Sequence, residues 1–221
     1  MKLNRFIDHT LLKPTATKED IIQLCKEAKQ YKFFSVCVNS CYVNLAKAEL
    51  KNTTVKVCSV IGFPLGAMST RAKVFETQQA INEGAVEIDM VINLGFLKSK
   101  DFDAVCRDIE SVKNEMQDKV LKVILETCYL DNDEIIKASE LAIQSGADFI
   151  KTSTGFGIGG ATVNDVKLMK SVANNSNVKI KASGGIRDYK TAMEFINLGV
   201  ERLGVSSGIA IMNGEQSESD Y

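Results

Sequence analysis

Apolar residues along the 221-residue chain come in short runs at regular intervals. Strand-like runs stand at "RFIDH" (5–9), "FFSVCVN" (33–39), "VKVCSVIG" (55–62), "VEIDMVIN" (86–93), "VLKVILE" (120–126), "DFIKTS" (148–153), "VKIKAS" (178–183) and "ERLGVSS" (201–207). Helical periodicity fills most of the intervals, over 18–31, 69–83, 101–117, 131–145, 162–173 and 188–198. Cap residues open several of these helices at Thr17, Ser69, Asp131 and Thr162. Glycines close several, at Gly84, Gly146 and Gly199. Strands alternating with helices predict parallel βαβ units. Eight such units in this length point to an α/β fold of the (β/α)8 TIM-barrel type. A doubly wound open sheet is the main rival. No linker divides the chain, so residues 1–212 read as one barrel domain and 213–221 as a polar, mobile tail.

The period-two test sharpens this. In a strand, alternate side chains share a face. Glu87, Asp89 and Val91 oppose Ile88, Met90 and Ile92. Lys122, Ile124 and Glu126 oppose Val123 and Leu125, while Phe149, Lys151 and Ser153 oppose Ile150 and Thr152. Lys179, Lys181 and Ser183 oppose Ile180 and Ala182. Four consecutive strands thus carry polar residues on one parity. A parallel sheet is covered on both faces, so a solvated face explains this poorly. A barrel explains it: one parity packs under the helices and the other points into the lumen. Asp89, Glu126, Lys151 and Lys181 fall towards the C-terminal strand ends, where barrel active sites form.

Lys151 and Lys181 are 30 residues apart (181 − 151), about one βα unit. They belong on neighbouring strands, about 5 Å apart. Burial and a like charge both push one of two such amines toward the neutral form. A neutral amine attacks a carbonyl to give a Schiff base, whose iminium is an electron sink for carbon–carbon chemistry. Asp89 is the obvious proton shuttle. "SGGIRD" and "SSG" follow the last two strands, where barrels often bind phosphate. Backbone N–H groups at Gly184, Gly185, Ser206 and Ser207 could hold the anion at a helix start. "GFGIGG" (155–160) has the form GxGxxG but follows the sixth strand, without an acidic partner about 20 residues on. It is therefore no nicotinamide site, and Gly155 is read as letting backbone approach substrate near Lys151.

Composition adds exclusions. Net charge is −1, which gives no electrostatic case for nucleic acid or an anionic membrane. No apolar run reaches the roughly 18 residues of a spanning helix. The start lacks a signal-peptide core, so a cytoplasmic location is expected. Six cysteines without a CxxC pair read as reduced small hydrophobes, and one histidine weakens any zinc site. His9 itself reads as structural.

"IDHTLLKP", "VCVN", "EIDMVINLG", "KVILET", "FIKTSTGF", "KASGGIR" and "GVSSG" occur in order. Together they resemble the deoxyribose-phosphate aldolase family over nearly the whole chain. That resemblance implies a class I aldolase needing no cofactor and no metal. It would interconvert 2-deoxy-D-ribose 5-phosphate with glyceraldehyde 3-phosphate and acetaldehyde, in deoxyribose catabolism. It makes Lys151 the Schiff-base lysine, Lys181 its pKa-lowering neighbour and Asp89 the proton shuttle. Asp8, and more loosely Thr10 and Cys37, become substrate-pocket residues. A terminal tyrosine assists proton transfer in some relatives, which singles out Tyr221. Some relatives carry a lysine after the glycine of "KTSTG"; here it is Phe156, leaving Arg187 as a weaker cation for the phosphate. Two other readings stay open: another Schiff-base lyase of transaldolase type, and a non-catalytic sugar-phosphate-binding barrel. The expected partners are small sugar phosphates and aldehydes, with a homodimer as the candidate assembly.

Overall fold

The computed structural model describes residues 2–217. Its strands are β1 (Ile7–Leu11), β2 (Ser35–Val38), β3 (Lys56–Ile61), β4 (Glu87–Val91), β5 (Val120–Ile124), β6 (Phe149–Lys151), β7 (Lys179–Ser183) and β8 (Arg202–Val205). They pair in chain order, all parallel, and β8 returns to β1 to close a barrel. The open-sheet alternative is excluded by that last pairing. Helices α1 (Lys18–Tyr31), α2 (Val43–Glu49), α3 (Thr70–Glu83), α4 (Leu94–Lys98), α5 (Phe102–Glu115), α6 (Asn132–Gln144), α7 (Val163–Ala173), α8 (Tyr189–Asn197) and α9 (Gly208–Asn213) belong to the connections.

The expected caps form. Thr17 and Asp131 each accept from the backbone N–H three residues on, and Asp20 and Glu134 return the bond to the cap backbone. Ser69 and Thr162 also cap their helices. Three short helices escaped the pattern. α2 has seven residues and no side-chain cap at Tyr42. α4 and α9 span little more than one turn, too short for a 3.6-residue period to show.

The apolar parity packs beneath the helices. Ile88, Met90, Val123, Ile150 and Leu203 are buried in one continuous core. Each such side chain contributes about 1.5–3 kcal/mol. His9 lies on this parity; its Nε2 bonds Glu27 Oε2 at 2.7 Å and its ring packs on Phe33. Ser217 N donates to Arg187 O at 3.0 Å. No described helix is long and apolar enough to cross a membrane.

Candidate active site

The lumen parity assembles one charge cluster. Lys151 and Lys181 are register partners on β6 and β7. Asp89 Oδ2 lies between them and accepts from both ammonium groups at 2.8 Å. Its Oδ1 accepts from Lys122 at 2.9 Å and from the Cys58 thiol at 3.1 Å. Lys122 also pairs with Glu87 at 2.5 Å. Asp8 accepts from Lys181 at 2.5 Å through Oδ2, and from Arg202 at 2.8 Å and Ser35 at 2.5 Å through Oδ1. Arg202 completes the set by donating to Glu87 at 3.1 Å.

Burial favours the neutral form of Asp89, but Lys122, Lys151 and Lys181 outweigh it and hold its carboxyl well below the usual range. Asp8 is likewise buried, and Lys181 and Arg202 hold it low. Burial works against the charge on Lys181, yet Asp8 and Asp89 raise it above the ordinary lysine range. Of the two neighbouring amines, Lys181 is therefore the fixed cation.

Above the cluster opens a cleft that is continuous with solvent. Thr10, Lys151, Gly155, Gly184, Gly185 and Ser206 line it, as do Phe156 and Arg187. The lining thus includes Lys151 but not Lys181, although both are buried, at 2% and 0% exposed. Asp8 and Cys37, implied by the resemblance as pocket residues, do not line this cleft. Asp8 is in the charge cluster, and Cys37 is buried with Leu12, Cys58 and Val60. Ser207 stands at the N-cap of α9 beside Ser206. Tyr221 lies outside the described residues.

The glycine run that imitated a dinucleotide motif has a packing cause. A Cβ on Gly160 would come within 2.3 Å of Gly184 O, so this loop must be glycine to lie against the "SGG" turn. Gly184 and Gly185 have φ of +84° and +78°, turning their backbone at the cleft wall. Glu126 anchors the loop after β6: it accepts from Thr154 N at 3.0 Å and from the Thr154 hydroxyl. Its own backbone is left-handed at φ 56°, a strained state for a non-glycine residue.

Lys122, Glu87 and Arg202 were not singled out from the sequence. The first two were visible on the polar parity, but nothing local tells which lumen residues touch. Arg202 sits at the start of β8 with its guanidinium 3.4 Å from the Phe34 ring centroid. Cys37, Cys58 and Asp89 are spaced as metal ligands can be. Both Asp89 oxygens are already engaged by ammonium groups, however, and a cation would have to displace one.

A parallel eight-stranded barrel with a buried lysine–carboxylate cluster below a cleft is the arrangement of a barrel enzyme with its site at the C-terminal strand ends. The family model described as DeoC/LacD family aldolase matches residues 4–214, and the chain belongs to that family. As an aldolase it is a carbon–carbon lyase. It is 52% identical to a deoxyribose-phosphate aldolase of Mycoplasma capricolum over 100% of this chain and 99% of that one. It is 56% identical to one from Clostridium tetani over 96% and 98% of the two chains. Among solved structures it resembles a tetrameric deoxyribose phosphate aldolase from Aeropyrum pernix, at TM-score 0.89 and 34% identity. That match covers 96% of this chain and 89% of the other.

Proposed function

We propose that the chain reversibly cleaves 2-deoxy-D-ribose 5-phosphate to glyceraldehyde 3-phosphate and acetaldehyde, with Lys151 as the nucleophile. The observation that carries this reading is that Lys151 is the cluster amine lining the cleft, while Lys181 is not among the lining residues. Lys151 Nζ adds to the C1 carbonyl of the open-chain sugar, and loss of water gives an iminium. A base takes the C3 hydroxyl proton, the C2–C3 bond breaks, and its electron pair enters the iminium to form an enamine. Glyceraldehyde 3-phosphate leaves with C3 as its aldehyde. Protonation of the enamine at C2 and hydrolysis release acetaldehyde and restore Lys151. Asp89, ionised and bonded to both lysines, relays the protons between them and the reacting atoms.

Backbone N–H groups of Gly184, Gly185, Ser206 and Ser207 hold the phosphate in this reading, with Arg187 on the same wall. We place the reaction in the cytoplasm, in deoxyribose catabolism, in keeping with six free cysteines. A homodimer is the proposed assembly, read directly by sedimentation. The central test is incubation with acetaldehyde and borohydride, followed by peptide mapping. A reduced two-carbon adduct on Lys151, absent in Lys151→Ala and weaker in Lys181→Leu, supports the reading. An adduct spread over surface lysines sinks it. Consumption of free acetaldehyde as donor separates this activity from a transaldolase-type lyase.

A further inference from the structure

The ion pairs of the lumen close on themselves. Asp89 binds Lys181, Lys181 binds Asp8, Asp8 binds Arg202, Arg202 binds Glu87, Glu87 binds Lys122, and Lys122 returns to Asp89. Signs alternate around this ring of six, so it carries no net charge. Lys151 is the seventh member, attached only through Asp89. It is the surplus cation: four basic groups stand against three carboxylates. We propose that Glu87 and Arg202, remote from the cleft, act as positioning residues that hold the ring neutral and so set how readily Lys151 serves as a free amine. This rests on Lys151 being the nucleophile.

An unbalanced positive ring opposes an ammonium on Lys151; an unbalanced negative ring favours one. Glu87 lies two residues before Asp89 on β4, and Arg202 is the register partner of Lys181. Each stands roughly 10 Å from Lys151 by strand geometry. One unit charge at that distance, at the effective dielectric of a protein site, moves a titration by about one pH unit. Among the described residues, the other titratable or charged groups around Lys151 are the Cys37 and Cys58 thiols, and Glu126 and Arg187 at the strand ends. None of these belongs to the ring.

The pH dependence of acetaldehyde trapping on Lys151 by cyanoborohydride, read by peptide mass, tests the proposal on the intact protein. Glu87→Gln leaves the ring positive, and the acidic limb of trapping moves down by about one pH unit. Arg202→Met leaves it negative, and the limb moves up by about as much. The double variant returns it to the wild-type position. Arg202→Lys keeps the charge and loses the packing on Phe34; it holds the wild-type limb even where it melts earlier. Opposite shifts with both rescues establish the ring, because general loss of structure cannot move one limb both ways. Should Arg202→Met not fold, the downward shift in Glu87→Gln and the unmoved limb in Arg202→Lys decide between them. Shifts of one sign, or none, in folded variants overturn the proposal while an adduct on Lys151 leaves the aldolase reading standing. A wild-type adduct elsewhere overturns both.

Discussion

Removing either lysine should abolish cleavage, but the two losses should differ in what they do to the fold. Lys181 is 0% exposed and pairs with Asp8 at 2.5 Å and Asp89 at 2.8 Å. Lys181→Met leaves Asp8 with Arg202 and Ser35 alone and breaks the alternation between two carboxylates. Breaking a buried pair in this way costs about 3–5 kcal/mol. At about 2–4 °C per kcal/mol for a chain this size, Tm falls by roughly 6–20 °C. Lys151→Met takes away one contact, to Asp89, which keeps Lys122, Lys181 and Cys58. The stability of this variant should stay within about 1 kcal/mol of wild type, as expected where an active-site group was held at some cost to the fold. Thermal melts and urea titrations at pH 7 measure both. Equal losses, or Lys151→Met being the less stable variant, would refute this difference in pairing even with both variants inactive.

Acid sensitivity follows from the same cluster. Asp8 and Asp89 have folded-state pKa values below their unfolded ones, so the unfolded chain binds more protons as pH drops. Their contribution is complete above about pH 4 and declines as pH falls through the folded values; urea midpoints from pH 7 to 2 should fall less steeply below 4 in Asp8→Asn. Gly204→Ala puts a Cβ 3.0 Å from Lys181 Cε and 3.0 Å from Ser183 Cβ. This overpacking costs about 1–3 kcal/mol, and displacing Lys181 should lower kcat more than it raises KM. Ser206→Asp sets a negative charge on the cleft wall and should raise KM for the phosphorylated sugar at least tenfold, about 1.4 kcal/mol, while sparing a non-phosphorylated acceptor. Thr17→Ala removes the α1 cap bond and should cost about 1 kcal/mol without changing kcat.

Two regularities made much of this molecule legible. Strand alternation carried Glu87, Asp89, Lys122, Lys151 and Lys181 to one parity before any contact was known, because a closed barrel gives each strand one inward face. The βα rhythm set the neighbours, so the partnership of Lys151 with Lys181 followed from spacing. What alternation cannot give is contact across the lumen. Arg202 reaches Glu87 from β8 to β4, and Asp8 reaches Lys181 from β1 to β7, pairings fixed by barrel shear rather than by any local pattern. Asp8 entered only through the resemblance to a family, and its place in the charge cluster rather than on the cleft lining became visible once the barrel closed. The distinction between the lysines likewise came only through that resemblance, since the strand pattern does not separate them. Both read as lumen amines near strand ends, and in the structure only Lys151 lines the cleft.

That amine at the cleft gives a reason for so many buried charges. Such networks are poor stabilisers, since desolvation offsets most of the attraction and an apolar replacement is often as good. The barrel does not need them for its fold: Ile88, Met90, Val123 and Ile150 already bury the outer strand faces without a charge. A lumen filled with leucines would hold the barrel at least as well. It could not present an amine to a carbonyl, because an isolated lysine in an apolar lumen has no group to receive its proton or fix its direction. Asp89, 2.8 Å from Lys151, fixes the direction of that amine, and it stays ionised because three ammonium groups surround it. The other charges then follow in order. Lys181 needs Asp8, Asp8 needs Arg202, Arg202 needs Glu87, and Glu87 needs Lys122, which returns to Asp89. On the proposed mechanism, one reactive amine at a cleft thus accounts for six further charged residues around it.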